Sequence, residues 1–130
     1  MIILDASATV DWLLQTPTGQ RIENRIYLHN ESLHAPHLLE VEVTQVLRRL
    51  VRDKTVPAPR ADEAIADLLD LRLTRYPHFI LLPRVWQLRH SLSAYDAVYV
   101  ALAELLHAPL VTCDRKVASA SGHHATVEVI

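Results

Sequence analysis

The chain has 130 residues, half of them apolar, which suffices for one globular domain with a single core. Its 13 Lys and Arg against 15 Asp and Glu give a formal net charge of −2, which excludes a sequence-wide electrostatic attraction to nucleic acid; any phosphate partner must be held locally. The single cysteine, Cys113, excludes an internal disulfide and a cysteine-based metal site, and we expect it to pack in the core.

Short apolar runs alternate with amphipathic segments along the chain, and this alternation predicts strands and helices in turn. In the first half, a strand is predicted at 2–4 and ends at Asp5, and the helix after it has Ser7 as a candidate N-cap and ends near Pro17. A second helix over about 20–28 and a strand at 32–35 follow. A third helix starts at Pro36, has apolar positions at helical spacing over 38–51, and is followed by a break at 53–59.

The second half continues the alternation. An amphipathic helix is predicted to end before Pro77; its apolar positions are Ala61, Ile65, Leu68 and Leu69. A strand at 79–82 and a short helical turn near 85–88 follow. The last predicted elements are a helix over 93–106, an apolar strand at 109–114 that ends in Asp114, and a final strand at 126–130. Only Asp96 and Glu104 are charged in the helix over 93–106, so we expect it to be mostly buried.

Strands that alternate with helices predict an α/β fold. We expect a central, mostly parallel sheet of about four to five strands, with helices on both faces. No internal repeat, low-complexity segment or long linker divides the chain, so residues 1–130 are predicted to form a single domain.

Three aspartates are the first candidates for chemistry. Ligands of open α/β sheets collect beyond the carboxyl ends of the strands, where Asp5 and Asp114 are predicted to lie. Asp96 follows Ser93 at the start of the apolar helix, so its carboxylate is expected near the sheet. Each residue has a structural alternative, because Asp5 and Asp114 can cap the following helices and Asp96 can complete a capping box with Ser93.

A fourth acid is expected from the helix after Pro36. Glu40 and Glu42 flank its apolar stripe on opposite sides, and helical periodicity alone does not choose between them. Solvation on an exposed helix face is the alternative for either residue.

Several ionised carboxylates in one cleft need a compensating cation, since like charges about 4 Å apart repel by roughly 4 kcal/mol at an effective dielectric of 20. Oxygen ligands without cysteine favour Mg²⁺, with Mn²⁺ as a possible substitute. Such ions activate water and stabilise a leaving oxygen, so phosphodiester hydrolysis is the natural reaction class.

Four motifs, in this order, resemble those of PIN-domain nucleases, and most closely the VapC-type toxins of bacterial type II toxin–antitoxin systems. They are MIILDAS (1–7), PHLLEVEV (36–43), SAYDAVYVALA (93–103) and LVTCD (110–114). The resemblance spans essentially the whole chain and implies a PIN-like fold.

The resemblance also implies the site. Its acid six residues after the proline is Glu42, so Asp5, Glu42, Asp96 and Asp114 would be the Mg²⁺ ligands, with Ser7 and Thr112 as nearby hydroxyls. It implies an endoribonuclease of structured RNA, such as transfer or ribosomal RNA, that is commonly a homodimer and is inhibited by a cognate antitoxin. The chain departs from many relatives by having Gln45 and Ser91 where they have Asn, which concerns substrate contacts.

Basic side chains are candidates for RNA phosphate contacts, although solvated helix faces explain them equally well. They are Arg48, Arg49, Arg52, Lys54, Arg115 and Lys116. An apolar groove near the second and third helices is the expected antitoxin site, because such partners insert an amphipathic segment.

Other functions and locations fit less well. A phospho-receiver domain would have an adjacent acidic pair where this chain has Asp5-Ala6, and two glycines, Gly19 and Gly122, are too few for a phosphate-binding loop. A PIN-like module that only binds RNA or protein remains the alternative. The start lacks the features of a secretory signal, and no apolar run reaches the roughly 18 to 20 residues of a membrane span, so we expect a cytoplasmic protein without a membrane partner.

Overall fold

The computed structural model describes residues 1–130 and contains a five-stranded parallel sheet in the order β3-β2-β1-β4-β5. Its strands are β1 (Ile2–Leu4), β2 (Leu33–Pro36), β3 (Leu73–Tyr76), β4 (Leu110–Thr112) and β5 (Val127–Val129). β1 is central, pairing Ile2 with Leu33 and Ile3 with Leu110. The predicted α/β class and parallel sheet are confirmed.

Seven helices connect the strands. They are α1 (Ala6–Leu13), α2 (Pro17–Leu28), α3 (Leu38–Arg52), α4 (Ala58–Asp70), α5 (Leu82–Gln87), α6 (Ala94–Leu106) and α7 (Arg115–Ser119). The chain moves outward from β1 through β2 to β3, then crosses back to β4 and β5. Since parallel crossovers are right-handed, this reversal puts α1–α4 on one face and α5–α7 on the other.

The reversal of direction creates a crevice between the carboxyl ends of β1 and β4. In open parallel sheets this point is where ligands bind, because the connections leave the two strands toward opposite faces. Asp5 follows β1 directly, and Asp114 follows β4 after Cys113. The sheet therefore brings two aspartates that are distant in sequence to the same crevice.

The core lies between the sheet and its helices. All three residues of β1 and all three of β4 are buried, as is every residue from Ala97 to Ala103 in α6. The prediction that this helix is mostly buried is confirmed. Cys113 packs against the same core, and burial raises the pKa of its thiol to about 12. None of the helices combines the length and apolar character that crossing a bilayer would require.

The predicted strand at 79–82 is wrong. The strand lies earlier, at Leu73–Tyr76, and residues Phe79–Leu81 form a 3₁₀ turn instead. Leu73 is buried while Thr74 and Arg75 are exposed, as in a half-covered edge strand, whereas Phe79 and Ile80 are apolar but face solvent. Of the apolar run at 79–82 only Leu81 is buried, so the run is mostly exposed surface and not a buried strand.

Several helix starts also differ from prediction. The N-cap of α1 is Asp5 and not Ser7, because the Asp5 carboxylate accepts from the backbone N–H of Ala8. α2 begins at Pro17, and Thr16 is its N-cap, because the Thr16 hydroxyl accepts a hydrogen bond from the N–H of Gly19. Pro36 ends β2, and α3 begins two residues later.

Candidate metal centre

Asp5 is held rigidly at the end of β1. Its Oδ1 accepts from Ser7 Oγ at 2.7 Å and from the N–H of Ala8 at 2.9 Å, and its Oδ2 accepts from Thr112 Oγ1. The side chain is 8% exposed. Burial raises the pKa of Asp5, and the negative charge of Asp96 raises it further, while the three hydrogen bonds oppose both effects.

The two hydroxyls beside Asp5 join the ends of β1 and β4. Ser7 Oγ accepts from the N–H of Cys113 at 3.0 Å, and Thr112 Oγ1 accepts from the N–H of Asp114 at 2.9 Å. Each hydroxyl then donates its own proton to Asp5. Backbone N–H groups thus fix the hydroxyls, which in turn fix the carboxylate.

Asp114 and Asp96 lie at helix starts. Asp114 caps α7, its Oδ1 accepting from the N–H of Lys116 at 2.9 Å. Ser93 caps α6 by accepting from the N–H of Asp96 at 3.2 Å, but the reciprocal bond of a capping box is absent. The Asp96 carboxylate is half-buried. Burial raises its pKa, and so does the charge of Asp114, while a hydrogen bond from the Ser93 side chain lowers it.

Glu40 and Glu42, two residues apart on α3, have different surroundings. Glu40 forms an ion pair with Arg75 of β3. Glu42 points toward α6, where its Oε1 accepts from the Tyr99 hydroxyl at 2.6 Å. Burial raises the pKa of Glu42, as do the charges of Asp96 and Asp5, against the lowering effect of Tyr99. Glu42 is therefore the glutamate of α3 whose pKa is affected by the charges of the aspartates.

None of these four acids has a basic counter-ion. No side-chain nitrogen of a Lys, Arg or His lies within 4 Å of a carboxylate oxygen of Asp5, Glu42, Asp96 or Asp114, although other carboxylates of the chain form such pairs. Three of the four have raised pKa values, and in each case another member of the group contributes. The arrangement is a cluster of negative charge that is uncompensated by the protein.

The donor set suits a hard divalent cation in part. It offers carboxylate oxygens only, the ligands that Mg²⁺ prefers. No three His, Cys, Asp or Glu side chains are already gathered into a finished metal shell. Mg²⁺ usually keeps several waters and takes one or two carboxylates directly, so a finished shell is not required for it to bind. The residues fit a partly hydrated ion.

A profile of the PIN domain matches residues 2–122. The chain belongs to the PIN domain family. Among its relatives, Ribonuclease VapC12 of Mycobacterium tuberculosis (strain ATCC 25618 / H37Rv) is 38% identical over 130 residues, covering 100% of this chain and 99% of the relative. Ribonuclease VapC1 of the same strain is 39% identical over 129 residues, covering 98% and 96%.

The fold is also that of solved structures. In the crystal structure of VapBC2 from Rickettsia felis bound to a DNA fragment from their promoter, one chain superposes with a TM-score of 0.73 at 16% identity. The match covers 99% of this chain and 98% of that chain. At this identity the likeness shows the fold alone, and it agrees with the predicted PIN-like architecture.

The basic residues named from the sequence are dispersed over this PIN domain. Arg115 and Lys116 open α7 and are exposed directly beside Asp114. On α3, Arg49 lies two turns after Glu42, whereas Arg48 lines a groove between α3 and α4, and Arg52 pairs with Asp53. The α7 pair is therefore the nearest in sequence to one of the acids, Asp114.

Tyr99 is the residue that sequence reasoning missed. The sequence pattern marks it only as part of a buried apolar helix, yet its hydroxyl contacts Glu42. One signal was available, because a buried tyrosine hydroxyl needs a polar partner and Tyr99 follows Asp96 by one helical turn. The two departures from the family pattern form no hydrogen bond with the four acids: Gln45 is exposed, and Ser91 donates to the carbonyl of Leu88.

Proposed function

We propose that the protein is a metal-dependent endoribonuclease that hydrolyses RNA phosphodiester bonds, and that it is the toxin of a type II toxin–antitoxin pair. One observation carries the proposal: near the crevice between β1 and β4, carboxylates from separate elements lie close enough to raise one another's pKa values, and none of them has a basic partner. The two relatives named above are ribonucleases by name and match this chain over its full length.

In this proposal Asp5, Glu42, Asp96 and Asp114 hold Mg²⁺, for which Mn²⁺ can substitute. The bound ion supplies an activated water and stabilises the charge of the phosphate and leaving oxygen. Asp5 is preorganised by Ser7 and Thr112, so it gives a fixed anionic anchor. Asp96 is only half-buried and has no basic partner, so it is available as a ligand.

The proposed substrate is structured RNA, such as transfer or ribosomal RNA. Exposed Arg115 and Lys116 would hold a phosphate next to the acids, and Arg48, Arg49 and Arg52 would contact the RNA farther along α3. A net charge of −2 supports such local contacts over a protein-wide attraction.

We also propose a cognate antitoxin, a homodimer and a cytoplasmic location. The structural relative from Rickettsia felis is VapBC2, crystallised on DNA from their promoter. The candidate groove for an antitoxin segment lies one helix farther along than the second and third helices expected from the sequence. It runs between α3 and α4 and is lined by Leu47, Val51, Ala61 and Ile65. Co-purification of the protein with the product of a neighbouring short gene, and its loss when the groove is charged by Ile65→Glu, tests this part.

The catalytic proposal is tested by Asp96→Asn assayed on total RNA. We expect its cleavage rate to fall on the order of 100-fold or more, the scale of removing one electrostatic stabiliser from an active site. Cleavage by the wild-type protein should stop in EDTA and return with Mg²⁺ or Mn²⁺. Asp67→Asn, which neutralises an exposed acid of α4, is the matched control and should cleave normally.

Two outcomes would contradict the proposal. If Asp96→Asn cleaves RNA at the wild-type rate, the cluster is not catalytic. If the wild-type protein binds RNA but never cleaves it with either ion, the chain is a PIN-like binding module instead.

A further inference from the structure

The buried Tyr99 hydroxyl has a single partner in the structure, the carboxylate of Glu42. Tyr99 is 2% exposed, and every other residue from Ala97 to Ala103 is apolar. A phenylalanine would fill this position equally well if only packing mattered. The hydroxyl is thus the one polar atom that this stretch of side chains contributes, and it is aimed at an acid.

The bond joins the two helices that carry candidate ligands. Tyr99 lies three residues after Asp96, on nearly the same side of α6, whereas Glu42 belongs to α3. The Oη to Oε1 distance of 2.6 Å is short, as expected when the acceptor is a carboxylate. Because Tyr99 is shielded from solvent, water does not compete for the bond.

We propose that Tyr99 is a positioning residue, which holds Glu42 by one carboxylate oxygen so that the other faces the crevice beside Asp96. The inference rests on the proposed function, since it concerns a ligand of that site. Without the hydroxyl, the carboxylate would rotate freely about its side-chain torsions and spend less time aimed at the ion. Partners of this kind, which orient a ligand without touching the metal, are typically worth 10- to 100-fold in affinity.

The test is a double-mutant cycle on Mn²⁺ binding, measured by calorimetry on the full chain without RNA. We expect Tyr99→Phe to weaken Mn²⁺ binding by about 10-fold. Glu42→Gln should weaken it as well, and adding Tyr99→Phe to Glu42→Gln should cause no further loss. Tyr27→Phe, which removes the hydroxyl of an exposed tyrosine on α2, is the control and should bind like the wild type.

The cycle separates positioning from a structural role. If Tyr99→Phe binds Mn²⁺ like the wild type, or loses the same factor with Glu42 and with Gln at position 42, the inference is overturned. In cleavage assays over a range of RNA concentrations, we expect Tyr99→Phe to lower kcat at limiting Mn²⁺, to recover with excess ion, and to leave KM for RNA unchanged. A purely structural defect would not be rescued by the ion.

A measurement on the unmodified protein covers the case in which Tyr99→Phe folds poorly. With the ring Cζ of tyrosine labelled with ¹³C, addition of Mg²⁺ should shift the Tyr99 signal while those of Tyr27 and Tyr76 stay fixed. An unmoved Tyr99 signal under saturating Mg²⁺ would overturn the inference.

Failure of the inference differs from failure of the proposed function. If Glu42→Gln binds Mn²⁺ normally while Asp96→Asn does not, the site exists and Tyr99 has no ligand to position. If Asp96→Asn also binds Mn²⁺ normally, the metal site itself is wrong.

Discussion

Glu40 and Glu42 show how the surroundings of a residue decide what it can do. Glu40 pairs with Arg75, so its charge is already compensated within the protein. Glu42 has a neutral donor, Tyr99, and two negatively charged neighbours, Asp96 and Asp5, that raise its pKa. Ionisation of Glu42 therefore costs folding free energy. A bound cation would offset this cost.

This cost predicts that Glu42→Gln stabilises the metal-free protein at neutral pH. The pKa of Glu42 is raised above its ordinary value of 4.5, so the cost of its ionisation is absent below that pH and develops as pH rises through the raised pKa. Glutamine keeps an acceptor for Tyr99 and removes the charge. Because solvent screens this half-buried group, we expect a gain of at most about 1 kcal/mol, or up to about 4 °C in Tm, at pH 7.5 in EDTA.

The gain should become small near pH 4, where Glu42 is mostly protonated in both the folded and the unfolded state. Thermal unfolding followed by circular dichroism at both pH values is the measurement. Glu63→Gln, on the exposed face of α4, is the control and should change Tm little at either pH. Equal Tm values for Glu42→Gln and wild type at pH 7.5 would contradict the interpretation that Glu42 is electrostatically strained.

Part of the site could be anticipated from individual residues. An aspartate directly after a buried apolar run implies a strand end, which is why Asp5 and Asp114 were predictable. Helical periodicity could not choose between Glu40 and Glu42, because the choice depends on which neighbour faces each one, Arg75 or Tyr99. Those neighbours come from distant elements, so the pairing required either the fold or the family pattern.

At the scale of elements, the buried strands, α6 and the edge strand β5 were predictable, whereas the edge strand β3 was not. β1, β4 and α6 are enclosed, so their composition reports burial directly. β3 lies at the edge of the sheet, and its residues Thr74 and Arg75 face solvent. The sequence pattern of β3 is therefore only weakly apolar. The mostly exposed apolar run at 79–82 that follows has the pattern expected of a strand.

The packing of α1 against α2 depends on a glycine. A Cβ added to Gly19 would lie 1.9 Å from the carbonyl oxygen of Asp11 and 2.5 Å from its carbon, so the helix backbones touch there. We expect Gly19→Ala to cost about 3 kcal/mol or more, because backbone atoms must separate. Urea unfolding of purified protein measures the decrease in stability.

Gly122→Ala provides the contrast. Gly122 has a φ of +88° but open space around the position of a Cβ, so only backbone strain of about 1 kcal/mol is expected. If Gly19→Ala were no more destabilising than Gly122→Ala, the close approach of α1 and α2 would be shown to relax cheaply.

For the molecule as a whole, the distribution of charge matters more than its sum. With a net charge of −2, attraction to RNA has to come from exposed basic groups close to the acids. Arg115 and Lys116 meet this condition, as they follow Asp114 on α7 and have no acidic partner within 4 Å.

Replacing both residues by Gln should therefore raise KM for RNA several-fold and leave kcat nearly unchanged. The slope of log KM against log salt should also fall by about 1 for each phosphate that the variant no longer neutralises. Arg21→Gln, at an exposed position of α2, is the control. A fall in kcat with unchanged KM would show that the pair acts on the chemical step and not on RNA binding.

One face of the molecule exposes more apolar surface than a monomer needs. Phe79, Ile80, Leu82, Trp86 and Leu105 are each at least half exposed, and Ile80 and Leu105 line the same groove between the 3₁₀ turn and α6. Monomeric proteins rarely keep such a patch in water. We expect this face to be the interface of the proposed homodimer, which would need roughly 800 Å² from each subunit.

Ile80→Asp should then convert the protein to a monomer, because the carboxylate would lose its hydration when the two faces close. Leu69→Asp places the same charge on an exposed leucine of α4, outside this face, and should leave the dimer intact. Light scattering after size-exclusion chromatography gives the mass of each variant. A wild-type mass of 14.7 kDa in solution would contradict the proposed homodimer. A dimeric Ile80→Asp protein would show that the dimer interface lies elsewhere.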